Sequence, residues 1–223
     1  MNTPALSDFG FSLVLNAALL LIVAEVLGLV MARQRAHWLD RPSLLAGLLV
    51  GGIGMLLIKI SATLLPGVIF DTRSALLSVS GLFLGPVPTA IAMAMTAAYR
   101  WSLGGAAAAT GVAVIVASGL IGLAWRHAWR QPIVRIGWRP LYLMGLTVHA
   151  VMLALMLTLP WETARTVLST VSLPVMLIHP LVTLALGLLL ADRLQRRYDL
   201  AALREQETRY RSLFEHNHSV MLV

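Results

Sequence analysis

The chain contains no cysteine, which excludes disulfides, zinc–thiolate sites and thiol catalysis. It is also poor in charge: Asp, Glu, Lys and Arg make up 12% of its 223 residues, against 58% hydrophobic. A soluble core cannot absorb that much apolar surface, so the class is integral membrane protein, with the lipid bilayer as its first partner. An HExxH motif, paired carboxylates and a nucleophile motif are missing too. No catalytic residue, metal site or cofactor is therefore assigned. Nor is there a cleavable signal: residues 1–10 carry no basic residue, and the next apolar run is too long for an h-region. The net charge of +7 is the one feature that could suggest nucleic acid. The arginines cluster between apolar runs, where they mark cytoplasmic loops instead, and no nucleic-acid partner is expected.

Five long apolar runs are present, at 11–32, 43–65, 104–125, 140–159 and 166–191. Each reaches the ~20 residues that a spanning helix needs. A sixth region, 74–99, is divided by Gly85-Pro86-Val87-Pro88. Each half would be about 12 residues, or ~18 Å of helix. Neither half crosses a hydrocarbon core of ~30 Å alone. Charge then sets the topology. Arg33, Arg35 and Arg41 follow the first run, Arg126, Arg130, Arg135 and Arg139 follow the third, and Arg193, Arg196 and Arg197 follow the last. All three groups belong on the cytoplasmic side. That holds only if 74–99 enters the membrane and returns. The expected fold is therefore all-α: five transmembrane helices plus a re-entrant pair of half-helices, with the N-terminus outside and a C-terminal signalling helix. Gly85 and Pro86 form the hairpin break. Non-helical backbone at that depth must be buried in protein or line a polar cavity. A single kinked span is the competing reading, and it breaks the positive-inside pattern.

This topology puts every Lys and Arg on the cytoplasmic side except Lys59, Arg73, Arg100 and Arg165. Arg165 follows Glu162 by three residues in an expected short loop, which suits a surface ion pair. Arg73 and Arg100 border the broken region. Intramembrane arginines face a cavity or a partner, because burial in lipid costs ~2.5–3.5 kcal/mol on insertion scales. Their forked guanidinium suits a carboxylate bidentately. Asp71 is placed to orient or neutralise Arg73. Gly104-Gly105 is read as opening the next helix, whose free N–H groups would favour an anion. Thr110 either adds a hydroxyl to that site or bonds its own helix backbone. An Asp71–Arg73–Arg100 network that merely locks the hairpin is the alternative. Asn16, Glu25, His149 and His179 are further polar groups at depth. The glycines of "AGLLVGGIG" read as helix packing. Trp101, Trp125, Trp129, Trp138 and Trp161 fall near span ends as interfacial belts. Beyond Asp192 the chain turns charged, and Leu194, Leu200, Leu203 and Tyr210 leave a thin apolar stripe suited to a paired signalling helix.

The stretch "PGVIFDTRSALLSVSGLFLGPVPTAIAMAMTAAYRWSLGGAAAATG" resembles the LytS-type five-transmembrane receptor domain of bacterial sensor proteins. The matching features are Asp71/Arg73, Gly81/Gly85/Pro86, Tyr99/Arg100 and Gly104/Gly105. The tail "ETRYRSLFEHNHSVMLV" resembles the opening of a PAS domain, with a short helix and first strand. The expected division is 1–192 sensor domain, 193–208 signalling-helix linker and 209–223 start of a truncated PAS domain, the output lying in a longer protein. The resemblance implies a dimeric receptor in the bacterial inner membrane with its C-terminus cytoplasmic. The implied output is a histidine kinase, or else a diguanylate cyclase with or without a phosphodiesterase. Some members sense pyruvate through arginines of the matching motifs, so the implied ligand is a small carboxylate bound from outside. The rival readings are a small-anion transporter or channel, favoured by broken helices, and a dimerisation anchor without a ligand.

Overall fold

The computed structural model describes residues 41–60, 62–65, 68–70 and 72–218, with the side chains of 41–60 and 72–212. The expected first span (11–32), with Asn16 and Glu25, lies outside the described residues, as does Asp71. Helix α1 (Arg41–Ile60) is followed by a short antiparallel ribbon, β1 (Ala62–Leu65) and β2 (Val68–Phe70). Ala62 pairs with Phe70 and Thr63 with Ile69, and a bulge then brings Leu65 opposite Val68. The second expected span therefore ends at Ile60, not at residue 65. Two half-helices come next, α2 (Arg73–Leu84) and α3 (Pro86–Ser102), and then α4 (Ala108–Ala128), α5 (Trp138–Leu155) and α6 (Trp161–His218). Apart from the ribbon the described architecture is helical. Among the described residues, Arg41–Ile60, Ala108–Ala128, Trp138–Thr158 and Trp161–Ser212 are long and apolar enough to cross a membrane. The protein is thus a multi-pass membrane protein.

Gly85 breaks the helix with φ 85° and ψ −169°, a conformation that is essentially glycine-only. Pro86 then occupies the first turn of α3, where its missing N–H costs nothing. The carbonyls at the end of α2 have no helical donors. Arg126, in the last turn of α4, supplies them: its Nη1 donates to Leu82 O at 2.7 Å and to Phe83 O at 3.2 Å. Thr89 secures the other side of the break, its hydroxyl donating to Gly85 O at 2.7 Å.

Helix directions follow from facing residues. Ser78 lies against Gly122 and Leu82 meets Arg126, so α2 and α4 run parallel. Thr89 and Met93 face Gly119 while Arg100 faces Gly111, so α3 runs against α4. The Gly85 break therefore lies at the Arg126 end of the bundle, and α3 returns toward the end that holds Gly111. Its 17 residues make α3 longer than the sequence suggested.

Glycines set the closest crossings. Gly47, Gly51 and Gly54 line the α1 face that meets Ile91, Met95 and Thr96 of α3, which is the packing role read from their spacing. Gly145 lets α5 approach Pro180 of α6. Helix α6 runs 58 residues through Pro174 and Pro180. The expected last span, signalling linker and residues 209–218 are one continuous helix, and the first strand expected of a PAS domain falls outside the described residues. Glu162 and Arg165 sit exposed on the first two turns of α6, not in a loop, and no ion pair joins them.

Candidate functional site

Arg73 is the first residue of α2 and Arg100 lies in the last turn of α3. Both guanidinium side chains are interior: Arg73 is 5% exposed and Arg100 1%. They enter from the same half of the bundle but at different depths. Ser78 opposes Gly122 on a parallel helix, which puts Arg73 level with about residue 117 of α4, while Arg100 opposes Gly111. Arg73 is thus some six residues, or ~9 Å, deeper. The two arginines that border the broken region are therefore not level with each other.

The Gly104-Gly105 expectation is also corrected. Helix α4 opens at Ala108, and the two glycines form the preceding turn with φ 64° and 87°. Arg100 Nη1 donates to Gly104 O at 2.8 Å, so this turn holds the arginine. Gly111 makes the room: a Cβ there would lie 2.7 Å from Arg100 Nε. The start of α4 is buried at Ala107 and Ala108, and the start of α2 lies inside the protein as well. Thr72, Arg73 and Ser74 are all buried, so a half-helix N-terminus with its free N–H groups points into the bundle beside Arg73. Thr110 is buried and bonds across helices, its hydroxyl 2.8 Å from that of Thr158.

Ser74, one residue after Arg73, starts a polar chain through the interior. Its Oγ is 3.1 Å from His149 Nε2, and His149 Nδ1 is 2.7 Å from Gly145 O. A carbonyl only accepts, so Nδ1 carries the proton. In the neutral ring Nε2 then accepts from the Ser74 hydroxyl. His149 meets His179 of α6 edge to face, with centroids 4.9 Å apart. Both rings are buried, and His179 Nδ1 has no hydrogen-bond partner among the described residues. The two histidines noted singly in the sequence therefore form a pair that joins the start of α2 to α6.

Sequence reasoning missed Gly111, Thr158 and the Ser74–His149 contact. Gly111 had a usable signal, since residues equidistant from the Gly105–Ala106 bond face each other across a helical hairpin. The other two join segments far apart in the chain, and no spacing reports them. Among the described residues no group of three or more His, Cys, Asp or Glu could hold a metal ion.

The family model described as 5TMR of 5TMR-LYT covers residues 24–193. No curated protein and no solved structure matches the chain.

Proposed function

The chain belongs to the 5TMR-LYT family, and on that premise we propose how this membrane sensor domain works. It is the input module of a bacterial signal-transduction receptor that binds a small carboxylate, such as pyruvate, from the outer side. The observation that carries this reading is the pair of buried arginines bracketing a broken helix, one of them on a buried helix start. Transporters grip carboxylates with the same combination of half-helix N-terminus and fixed charge. In this reading Arg73 and the first N–H groups of α2 hold the carboxylate, and Arg100 closes over it from α3. Asp71 sets the orientation of Arg73, and Thr110 lines the rim. The five-span topology with a re-entrant α2–α3 pair, the outer N-terminus and the inner-membrane location belong to the same proposal. So do a homodimer, the PAS domain and a histidine kinase as output, with a diguanylate cyclase as the alternative.

Binding transmits a signal only if it favours one packing of the helices over another. The route is Ser74 to His149 to His179, which couples the start of α2 to α6. Calorimetric titration of the purified chain with pyruvate and related short carboxylates tests the proposal. Binding is expected in the wild type, with a loss of about tenfold or more in Arg100→Lys, which keeps the charge and loses the fork. Gly111→Ala displaces Arg100 and is expected to weaken binding similarly. Affinity unchanged in both variants, or no binding to any carboxylate, overturns the clamp. The broken helix also suits a small-anion transporter, and uptake of labelled pyruvate into sealed proteoliposomes would establish that reading instead. Orientation is tested on the cysteine-free background. Single cysteines at Trp101 and Trp161 should label from outside, and one at Arg130 only after permeabilisation.

A further inference from the structure

At the Arg126 end of the bundle, away from the arginine clamp, lies a cleft of about 570 Å³. Four parts of the chain meet there: the base of the half-helix pair at Phe83, the end of α4 at Arg126, the 132–135 segment, and α6 at Leu194–Tyr198. The lining is two-sided. Phe83, Ile133 and Leu194 form an apolar wall, and Arg126, Arg135 and Tyr198 supply cations and a hydroxyl. No lining residue is acidic. The two nearest carboxylates along α6 are both engaged within the helix: Asp199 accepts from Gln195 Nε2 at 2.9 Å, and Asp192 pairs with Arg196 at 2.8 Å on the exposed face.

Two buried donors in the same region lack acceptors among the described residues: Trp129 Nε1, and Arg197 Nη1 beside Tyr198. Trp129 packs against the same core cluster as Ile133 and Leu194, which line the cleft. Buried N–H groups without partners are rare in folded proteins and point to an acceptor that belongs there. The level in the membrane is marked as well. Trp138 is exposed with Arg139 stacked over its ring at 5.3 Å, an arrangement suited to a headgroup boundary. Arg126 spends one nitrogen on the α2 carbonyls, and it borders a second cleft of about 420 Å³ shared with Pro86 and His127.

We propose that this cleft binds the headgroup of an anionic phospholipid. The phosphodiester lies between Arg126 and Arg135, and the glycerol and first acyl carbons lie against Phe83, Ile133 and Leu194. Basic pockets between transmembrane helices at the membrane surface suit anionic lipid phosphates. Inorganic phosphate shares the charge, but it would leave the apolar wall uncovered. A lipid seated there touches both the base of the half-helix pair and the first turns of α6 beyond the membrane. It would therefore link the half-helix pair to the long helix α6.

Native mass spectrometry tests this on the 223-residue chain, released from vesicles of phosphatidylcholine alone or mixed with phosphatidylglycerol. The variant is Arg135→Gln, an exposed position that does not hold the hairpin base. The control is Arg139→Gln, which lies outside the cleft lining. Retained phosphatidylglycerol is expected in the wild type and in Arg139→Gln, with about a fivefold loss in Arg135→Gln. Equal retention in both variants, or retention of phosphatidylcholine alone, overturns the site. Displacement of the lipid by added inorganic phosphate would make it a soluble-phosphate site and overturn the lipid assignment. Because the readout is bound lipid, the result is independent of whether pyruvate binds at Arg73 and Arg100.

Discussion

Replacing Gly81 by alanine tests the crossing that holds α2 against α4. A Cβ at Gly81 would lie 2.8 Å from both Gly119 O and Leu123 N, and 2.9 Å from the Gly122 carbonyl carbon. All three are backbone atoms, so no side chain can swing aside. Ordinary contact begins at 3.4 Å, so α2 must retreat by roughly 0.6 Å, enough to forfeit about a quarter of the dispersion energy along the seam. Ser78 O, already against Gly122, leaves no room to slide. Overpacking of this kind costs about 1–3 kcal/mol. Alanine recovers about 0.5–1 kcal/mol of helix propensity. The net destabilisation should be about 1–2 kcal/mol, or ~2–8 °C in Tm for a chain of this size. Gly52→Ala is the control, because nothing lies within 4 Å of its Cβ position. It should keep or raise the Tm. Thermal unfolding of both variants in one detergent reads the difference. A Gly81→Ala protein as stable as Gly52→Ala would show that the crossing is looser than described and refute the reasoning.

Gly85→Ala forces a Cβ into a conformation that costs of the order of 1–3 kcal/mol, and a matching loss of stability in a denaturant titration is expected. Arg126→Gln removes the charged donor to Leu82 O and Phe83 O. Hydrogen exchange at Gly85–Thr89 should accelerate, consistent with the ~1.5–3 kcal/mol of a charge-assisted bond, while Arg126→Lys should restore part of the protection. Ser74→Ala and His149→Phe should each destabilise by leaving the other partner buried and unmatched. The double variant should recover, with a coupling of about 0.6–2 kcal/mol in a double-mutant cycle, and strict additivity would argue against the bond.

The break at Gly85-Pro86 was legible because it is chemical: a residue that tolerates positive φ, followed by one that can only start a helix. The return of α3 was legible because the arginine clusters fix which ends share a side. The depth of Arg73 was not legible. It depends on where α2 starts, and the ribbon of residues 62–70 that delivers it carries no periodicity distinct from the apolar run before it. The helix end at Arg126 was unreadable for another reason. Its partners are backbone carbonyls 44 and 43 residues upstream, and carbonyls leave no trace in side-chain identity. Arg126 therefore read as one more loop charge. The Gly104-Gly105 pair was recognised as special but placed at the helix start, which falls at Ala108, since a glycine pair before a helix serves equally as an open N-terminus or as a left-handed turn.

The unbroken length of α6 has a mechanical meaning. From Pro180 to His218 the helix runs 39 residues, or ~57 Å, and residues 198–212 of it are exposed throughout. Pro180 has no N–H for the carbonyl one turn back, so the helix loses a backbone bond at the point that touches Gly145 and follows His179. By simple leverage, each degree of bend there carries the far end sideways by about 1 Å. A shift at the buried histidine pair too small to disturb the surrounding packing would thus arrive at the far end as a displacement of several ångströms.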